Sequence, residues 1–487
     1  MINKILIANR SEIALRVIKT CKEMGIESVS IYAEDDKNLL HVTEATQSFS
    51  LGHGALSETY LNQDKIIEIA KSSGCDAIHP GYGFLSENAD FSQKVKDAGL
   101  IFIGPSSESI VLMGDKKASK QKVETIGGPL VPGYHGDDQS PSLLAKEAKK
   151  IGYPLLIKAT AGGGGKGMRI VREDKEFSDA LAAAQREAMN AFGNDKVLLE
   201  KFIENPRHIE VQVFGDSHGN HVHFFERECS IQRRYQKIIE ETPSAFLPTD
   251  KRKEICDAAV KIAAGINYLG AGTVEFIYTN DHNFYFLEMN TRLQVEHPIT
   301  EMCTGVDLVK EQILVAAGKE LSYKQDQIKQ TGHSIECRIY SEDPDNDFLP
   351  TEGRVEKVLA RLTPSFRFDC AITDGQKLSL NYDPMLAKVI VHKSNRNEAI
   401  EEMQKALNDV LFAGVKTNRD YLKRILRRYS FVIGDYHTQT IEQEAEKLLK
   451  EETLDNDIAK IINAILTDEQ KRKGTIAWDQ KSSFRNV

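Results

Sequence analysis

The first hundred residues alternate between short apolar strands and amphipathic helices, and this alternation restricts the fold more than any other feature. Residues 4–8 and Ser28–Tyr32 have the pattern of strands, and Ser11–Met24 between them places its apolar residues on one helical face. The alternation continues to Gly104-Pro105. This order predicts an open, doubly wound α/β sheet over residues 1–105.

The loop His79–Asn88 is rich in Gly and Pro, and it follows the predicted strand Ala77-Ile78. Sheets of this type bind ligands at the carboxyl ends of their strands. We therefore expect this loop to border a binding site.

Beyond the first sheet the sequence predicts four further segments. A hairpin with a glycine-rich tip lies in the second of them, and the third is richer in strands, with an α+β pattern. The last is charged and helical, and it fits a solvated appendage as well as a docking surface. The segments are linker helices at 106–130, a lid at 131–203, a catalytic domain at 204–440 and a tail at 441–487.

Composition limits the possible functions. The 487 residues carry a formal charge of −9 and have a pI near 5.9, so no basic face for nucleic acid is expected. No apolar run is as long as a membrane span. The start lacks the pattern of a signal peptide and the seven cysteines are scattered, which predicts a cytoplasmic protein without membrane association.

The stretch Glu288–His297 combines two carboxylates, an amide, a guanidinium and an imidazole within ten residues. Residues 273–278 and 284–287 read as a hairpin that brings Glu275 opposite, or nearly opposite, Glu288. Facing carboxylates are tolerated when a hard cation lies between them. Glu275, Glu288 and Asn290 are therefore a candidate Mg²⁺ site, although a solvated sheet edge with scattered acids is the alternative.

Two further motifs suggest anion binding. Four successive glycines followed by Lys166 form a hairpin tip whose amides can contact phosphate, and Lys158 and Lys116 lie beside glycine turns. A disordered loop is the alternative there. Lys237 ends a segment with three cations, which suits a polyanion or a small oxyanion, or else a basic surface strand.

Taken together, these motifs resemble the successive signatures of biotin carboxylase, the ATP-grasp component of biotin-dependent carboxylases. The resemblance runs in order from about residue 2 to about 440, and it departs from the family at Ser11, usually Gly, and at Tyr235, usually His or Asn. The motifs are residues 8–14, 76–88, the glycine loop, 229–237 and 288–297.

The resemblance implies a role for each site residue. Glu296 matches the base that deprotonates bicarbonate, which Lys237, Arg292 and the backbone at Gln294 and Val295 would bind. Arg338 matches the residue that binds biotin and stabilises its enolate. The implied ATP contacts are Lys116, Lys158, Gly163, Gly164, Gly165, Lys166, Gly167, Glu200, Lys201, Ile203, His208, Tyr235, Glu275 and Glu288, with the 131–203 lid mobile and closing over them.

The implied activity is that of an ATP-dependent ligase that uses ATP, Mg²⁺ (or Mn²⁺) and bicarbonate to carboxylate biotin. No Met-Lys pair occurs in the sequence, so the biotin is expected on a separate biotin carboxyl carrier protein, with a separate carboxyltransferase subunit and a homodimeric enzyme. Acetyl-CoA and propionyl-CoA are the leading final acceptors. Another ATP-grasp carboxylate-amine ligase and a non-catalytic nucleotide-binding subunit remain alternatives.

Overall fold

The N-terminal residues form a five-stranded parallel sheet in the order β3-β2-β1-β4-β5, which confirms the predicted open α/β sheet. Its third strand in chain order, at the sheet edge, was not predicted, because Gln47–Gly52 is short and has only two large apolar residues, Phe49 and Leu51. The elements are β1 (Lys4–Ile7), α1 (Ser11–Met24), β2 (Glu27–Ala33), α2 (Leu40–Glu44), β3 (Gln47–Gly52), α3 (Gln63–Ser72), β4 (Ala77–His79), α4 (Ala89–Asp97) and β5 (Ile101–Phe102).

The computed structural model describes residues 2–159 and 168–448. Met1–Ala445 forms one unit with its own cores, and Glu446–Val487 forms a second, of which the structure describes residues 446–448. The predicted glycine loop and most of the predicted 441–487 tail therefore lie outside the described residues.

Helices and a small antiparallel sheet follow the N-terminal sheet. The sheet has the order β6-β9-β7-β8 and packs against two helices around Leu155, Ile157 and Leu199. The elements are α5 (Ser107–Gly114), α6 (Lys116–Thr125), β6 (Gly133–Tyr134), α7 (Pro141–Ile151), β7 (Leu155–Ala159), β8 (Met168–Val171), α8 (Phe177–Phe192) and β9 (Val197–Lys201).

An eight-stranded antiparallel sheet dominates the rest of the unit, in the order β14-β13-β10-β11-β12-β15-β22-β20. The strands of this part of the chain are β10 (Arg207–Gly215), β11 (His221–Arg233), β12 (Gln236–Thr242), β13 (Gly270–Tyr278), β14 (Phe284–Asn290), β15 (His333–Tyr340), β16 (Glu342–Asp343), β17 (Leu349–Pro350), β18 (Gly353–Arg354), β19 (Lys357–Ala360), β20 (Phe366–Cys370), β21 (Lys377–Leu378), β22 (Met385–Lys393) and β23 (Val410–Ala413). Of these, β16 pairs with β17, β18 with β21 and β19 with β23 in separate two-stranded sheets.

The long helix Thr249–Gly265 packs on one face of this sheet, and helices from both the N-terminal and the later part of the chain pack on residues of the other face, such as Phe214 and Phe224. Ile255, Ala259 and Ile262 of the first helix pack on strand residues such as Val211 and Phe276. The helices are α9 (Thr249–Gly265), α10 (His297–Thr304), α11 (Leu308–Ala316), α12 (Arg396–Asn408), α13 (Arg419–Leu426), α14 (Tyr429–Val432), α15 (Thr440–Gln443) and α16 (Ala445–Leu448). Among the described residues, no helix is long and apolar enough to cross a membrane.

Ser11 adopts a left-handed backbone conformation, with a φ of 56°. This conformation costs a residue with a side chain ~1–2 kcal/mol, whereas the extra freedom of glycine in the unfolded chain costs ~0.5–1 kcal/mol. Glycine is therefore the better residue at this position, and the serine is expected to lower the stability of the fold.

Replacing Ser11 by glycine is expected to raise the free energy of unfolding by ~0.5–1 kcal/mol, measured by chemical denaturation. Ser119→Gly is the control, because Ser119 lies inside α6 without a positive φ and glycine weakens a helix interior. A loss of stability at both positions would contradict the explanation.

Candidate active site

A cleft of about 750 Å³ opens between the carboxyl ends of the N-terminal strands and one face of the eight-stranded sheet. Asn9 and Arg10 follow β1, and Tyr82–Phe84 follow β4, so the loop predicted to border a site does so. Ten predicted site residues line the cleft: His208, Tyr235, Lys237, Glu275, Glu288, Asn290, Arg292, Gln294, Val295 and Arg338.

Lys237 lies at the centre of a group of buried carboxylates. Its Nζ is 2.5 Å from Glu210 Oε2, 2.9 Å from Glu275 Oε1 and 2.8 Å from Glu296 Oε1. Burial favours loss of the lysine proton, but the three carboxylates outweigh it and raise the pKa of Lys237 well above its usual value. The ammonium is therefore a fixed positive charge in the cleft.

Glu296 ends the loop that follows β14, and it precedes the first residue of α10. Pro298 near the helix start fixes the backbone there, since proline is preorganised for that position. Arg338 Nη2 donates to Glu296 Oε2 at 2.9 Å. Burial would raise the pKa of Glu296, but Lys237 and Arg338 lower it well below its usual value, so the side chain is a carboxylate.

The predicted facing carboxylates are confirmed, because Glu275 in β13 pairs in register with Glu288 in β14. Glu275 is well satisfied, with His208 Nε2 at 2.8 Å and the Asn290 amide donating at 2.8 Å. Burial and the charge of Glu275 raise the pKa of Glu288, whose side chain makes no hydrogen bond to the residues that the structure describes. Two facing carboxylates and a neighbouring amide are donors suited to a hard divalent cation.

Arg292 is held in place by a residue of the N-terminal part of the chain. Its Nε donates to Glu87 Oε2 at 2.8 Å, and its Nη1 donates to Gln294 Oε1 at 2.9 Å. Glu87 also accepts from the Thr291 amide at 3.0 Å. Arg292 Nη2 donates to Asn290 Oδ1 at 3.1 Å, so these bonds fix the guanidinium at the cleft.

The predicted nucleotide contacts on the small sheet are close to one another. Lys158 Nζ lies 2.5 Å from Glu200 Oε2, and Lys120 contacts the other carboxylate oxygen. Burial would raise the pKa of Glu200, but the two ammonium groups lower it to about 2. Lys201 Nζ donates to the Tyr153 carbonyl at 2.7 Å.

The other predicted contacts are more dispersed. Lys116 is exposed at the first position of α6, and Ile203 is half-buried just after β9. Tyr235 is 94% exposed at the tip of the β11–β12 hairpin, with a φ of 67°. Gly163, Gly164, Gly165, Lys166 and Gly167 lie outside the described residues.

Sequence reasoning missed several residues of the cluster. Glu210 lies two residues after His208 on β10, so the strand period alone could have placed both on one face. Arg227 Nε contacts Glu210 Oε1 at 2.5 Å, and Glu240 Oε1 is 2.6 Å from Arg338 Nη2. Burial raises the pKa of Glu240 to about 7, partly offset by Arg338. No sequence pattern indicated Glu240, because its partner Arg338 is far away in the sequence, although β12 and β15 are neighbours in the sheet.

Comparisons with known proteins agree with this geometry. Three family profiles match in order: "Biotin carboxylase, N-terminal domain" over residues 1–110, "Carbamoyl-phosphate synthase L chain, ATP binding domain" over 115–324 and "Biotin carboxylase C-terminal domain" over 336–443. Biotin carboxylase 1 of Bacillus subtilis is 47% identical over 443 residues, which cover 91% of this chain and 98% of the relative.

A longer relative is also similar. The mitochondrial methylcrotonoyl-CoA carboxylase subunit alpha of Rattus norvegicus is 50% identical over 450 residues, covering 92% of this chain. The matched region spans 63% of that relative's length.

A solved structure shares the fold. The biotin carboxylase domain dimer of the Hydrogenobacter thermophilus 2-oxoglutarate carboxylase, described in complex with MgADP, ADP and bicarbonate, has a TM-score of 0.84 and 44% identity. The match covers 93% of this chain and 100% of that one, and it confirms the predicted ATP-grasp fold class. With three ordered profiles, near-complete coverage of a curated biotin carboxylase and this shared fold, the chain belongs to the biotin carboxylase family.

Proposed function

We propose that this chain is an ATP-dependent ligase that carboxylates biotin with bicarbonate, as the first half-reaction of an acyl-CoA carboxylase. The observation that carries the proposal is the buried cluster of Lys237, Glu296 and Arg338 beside the facing carboxylates. In this proposal the cluster would supply a base, two cations and a cation-binding pair to the cleft. A carboxylate-amine ligase needs the metal pair, but it gives no reason for a base held between Lys237 and Arg338.

In the proposed reaction, Lys237 and Arg292 bind bicarbonate together with the backbone at Gln294 and Val295. Glu296 takes the bicarbonate proton, and a bicarbonate oxygen attacks the γ-phosphorus of ATP while the bond to the β-phosphate oxygen breaks. Carboxyphosphate and ADP result. Lys237 lowers the pKa of Glu296 before the substrates bind. An anion bound at Lys237 offsets the lysine's positive charge, so Glu296 becomes more basic when bicarbonate is in place.

Carboxyphosphate then breaks down to CO₂ and phosphate. The phosphate removes the proton from the biotin ureido nitrogen, which attacks CO₂, and Arg338 stabilises the enolate oxygen of the ureido group. Glu240 Oε1 lies 2.6 Å from Arg338 Nη2, and this ion pair holds the guanidinium in a fixed position. The nucleotide lies along Lys116, Lys158, Glu200, Lys201, Ile203, His208 and Tyr235, the last being the residue that departs from the family pattern.

The residues that would hold Mg²⁺, or Mn²⁺ in its place, are Glu275, Glu288 and Asn290. When bound, the ion neutralises charge on the nucleotide phosphates during transfer. Glu288 is the carboxylate of this set with an available oxygen, so its contribution to metal binding should be the largest.

Replacing Glu288 by glutamine is expected to raise the Mg²⁺ concentration needed for nucleotide binding by ~10-fold, because a charged ligand is lost. Stability without metal should stay equal or rise, since the repulsion with Glu275 is removed. Asp281→Asn, in the exposed loop of the same hairpin, is the control. Calorimetric titration of a non-hydrolysable ATP analogue against Mg²⁺ measures the effect, and an unchanged metal requirement would remove Glu288 from the site.

The proposed partners are a biotin carboxyl carrier protein, a carboxyltransferase subunit and a second copy of this chain. The related structure described as a dimer supports the homodimer, and the carboxylase names of the relatives support the other two. Their names add methylcrotonoyl-CoA to acetyl-CoA and propionyl-CoA as acceptors to test. Cytoplasmic location is part of the proposal, supported by seven buried, unpaired cysteines, which suit a reducing compartment.

The test is ADP release by the purified chain with ATP and Mg²⁺. We expect release to require bicarbonate and to increase with free biotin. Release that needs an amine and a carboxylic acid instead would identify a different ATP-grasp ligase. Nucleotide binding without turnover under any of these conditions would identify a non-catalytic subunit.

A further inference from the structure

Lys388 is fully buried in β22, which lies between β15 and the edge strand β20 of the eight-stranded sheet. It pairs in register with Arg338 on β15 and with Asp369 on β20. Lysine is among the residues least often buried completely, because its ammonium loses hydration that a protein must replace. The contacts of this ammonium therefore have to account for its position.

The Lys388 ammonium contacts residues that line the cleft. Nζ donates to the Val295 carbonyl at 2.9 Å, lies 3.2 Å from Glu12 Oε2 and lies 3.9 Å from Asp369 Oδ2. Glu12 belongs to α1 of the N-terminal part of the chain and is also buried. The lysine thus links the eight-stranded sheet, helix α1 and the loop that carries Glu296.

In the loop between β14 and α10, the Gln294 carbonyl accepts from the His297 backbone N–H at 3.3 Å, and side chains hold other peptide groups of the loop. Burial lowers the pKa of His297 well below its usual value, and the neutral ring lies with Nδ1 2.8 Å from the Gln294 carbonyl oxygen. That contact orients the peptide whose N–H belongs to Val295. Lys388 holds the next carbonyl along, in the peptide that joins Val295 to Glu296.

We infer that Lys388 is a positioning residue of the active site, which orients the Val295–Glu296 peptide and so aims Glu296 at the bound bicarbonate, with Glu12 as its buried counter-charge. The inference rests on the proposed function. A purely structural ion pair is the other explanation, but buried pairs contribute little net stability compared with apolar residues of similar size. The direct bond to the loop carbonyl is what a purely structural pair would not need.

The test uses a variant that removes the charge pair without leaving one charge buried alone. Glu12→Gln combined with Lys388→Met keeps similar volumes and is electrically neutral overall. We expect kcat for bicarbonate-dependent ADP release to fall ~10–100-fold, because small errors in the position of a reacting group have large effects. The KM for bicarbonate should rise and the KM for ATP should stay unchanged, since Lys388 contacts no predicted nucleotide ligand among the described residues.

Lys393→Met is the matched control on the same strand. Its Nζ lies 3.5 Å from Glu402 Oε2 and it is remote from the cleft lining, so all kinetic constants should match the wild type. Circular dichroism establishes that the double variant is folded. A folded double variant with wild-type kcat and wild-type bicarbonate KM would overturn the inference.

If the double variant does not fold, Glu12→Gln alone decides. This isosteric change weakens the hold on Lys388, and we expect a raised bicarbonate KM with an unchanged ATP KM; two unchanged values would overturn the inference. Failure of the proposed function is seen separately, because the wild-type chain would then release no ADP in response to bicarbonate.

Discussion

Replacing Glu296 by glutamine is expected to lower bicarbonate-dependent ADP release by ~10²–10⁴-fold, the usual loss when a general base is removed. The change keeps the shape of the side chain and removes its ability to accept the bicarbonate proton. Nucleotide affinity, measured by calorimetry, should stay within about twofold, because the effect falls on the chemical step rather than on binding.

The Glu296 variant should also remain folded, because its cations keep other partners. Lys237 retains Glu210 and Glu275, and Arg338 retains Glu240. Glu254→Gln, at an exposed ion pair with Lys251, is the matched control and should behave as the wild type. Unchanged turnover, or a loss of nucleotide binding in place of turnover, would show that Glu296 is not the base.

Replacing Lys237 by methionine is expected to have the largest combined effect, abolishing turnover and lowering the free energy of unfolding by ~3–5 kcal/mol. The ammonium is the shared partner of Glu210, Glu275 and Glu296, and its loss leaves three carboxylates close together in a buried region. Chemical denaturation at pH 7 measures the stability, and bicarbonate-dependent ADP release measures the activity.

The stability lost in the Lys237 variant should depend on pH in a particular direction. Without the ammonium, burial and mutual repulsion raise the pKa values of the carboxylates above those of the unfolded chain. Their protonation then stabilises the folded state below those unfolded values, and this contribution is lost as pH rises. The deficit relative to the wild type should therefore shrink between pH 7 and pH 5. Lys251→Met, at the exposed pair with Glu254, should show no deficit at either pH, and a deficit in the Lys237 variant that does not change with pH would contradict the account.

Features built from local sequence could be predicted well. The parallel order of the N-terminal strands follows from short helical crossovers, and the facing of Glu275 and Glu288 follows from a short turn between consecutive strands. In both cases the interacting residues are close in the chain, so periodicity and turn chemistry determine their arrangement. The edge strand Gln47–Gly52 was missed because it is short and has only two large apolar residues.

Contacts between distant segments could not be predicted. Glu87 and Arg292 form a hydrogen bond although they lie 205 positions apart in the sequence, and Lys388 binds the Val295 carbonyl, which lies 93 positions away. These contacts depend on β13 joining β10, and on β15 joining β12, and no hydrophobic pattern specifies which strands become neighbours. The roles of the site residues accordingly came from the family resemblance, and they stay predictions until variants are measured.

The most direct test of the proposed chemistry is to follow oxygen from bicarbonate. The chain is given ATP, Mg²⁺, biotin and bicarbonate labelled with ¹⁸O, and the released phosphate is analysed by mass spectrometry before label exchanges with water. Attack of bicarbonate on the γ-phosphorus leaves the bridging oxygen on phosphate when carboxyphosphate breaks down. We predict one labelled oxygen in each phosphate released, and phosphate without label would contradict the central claim.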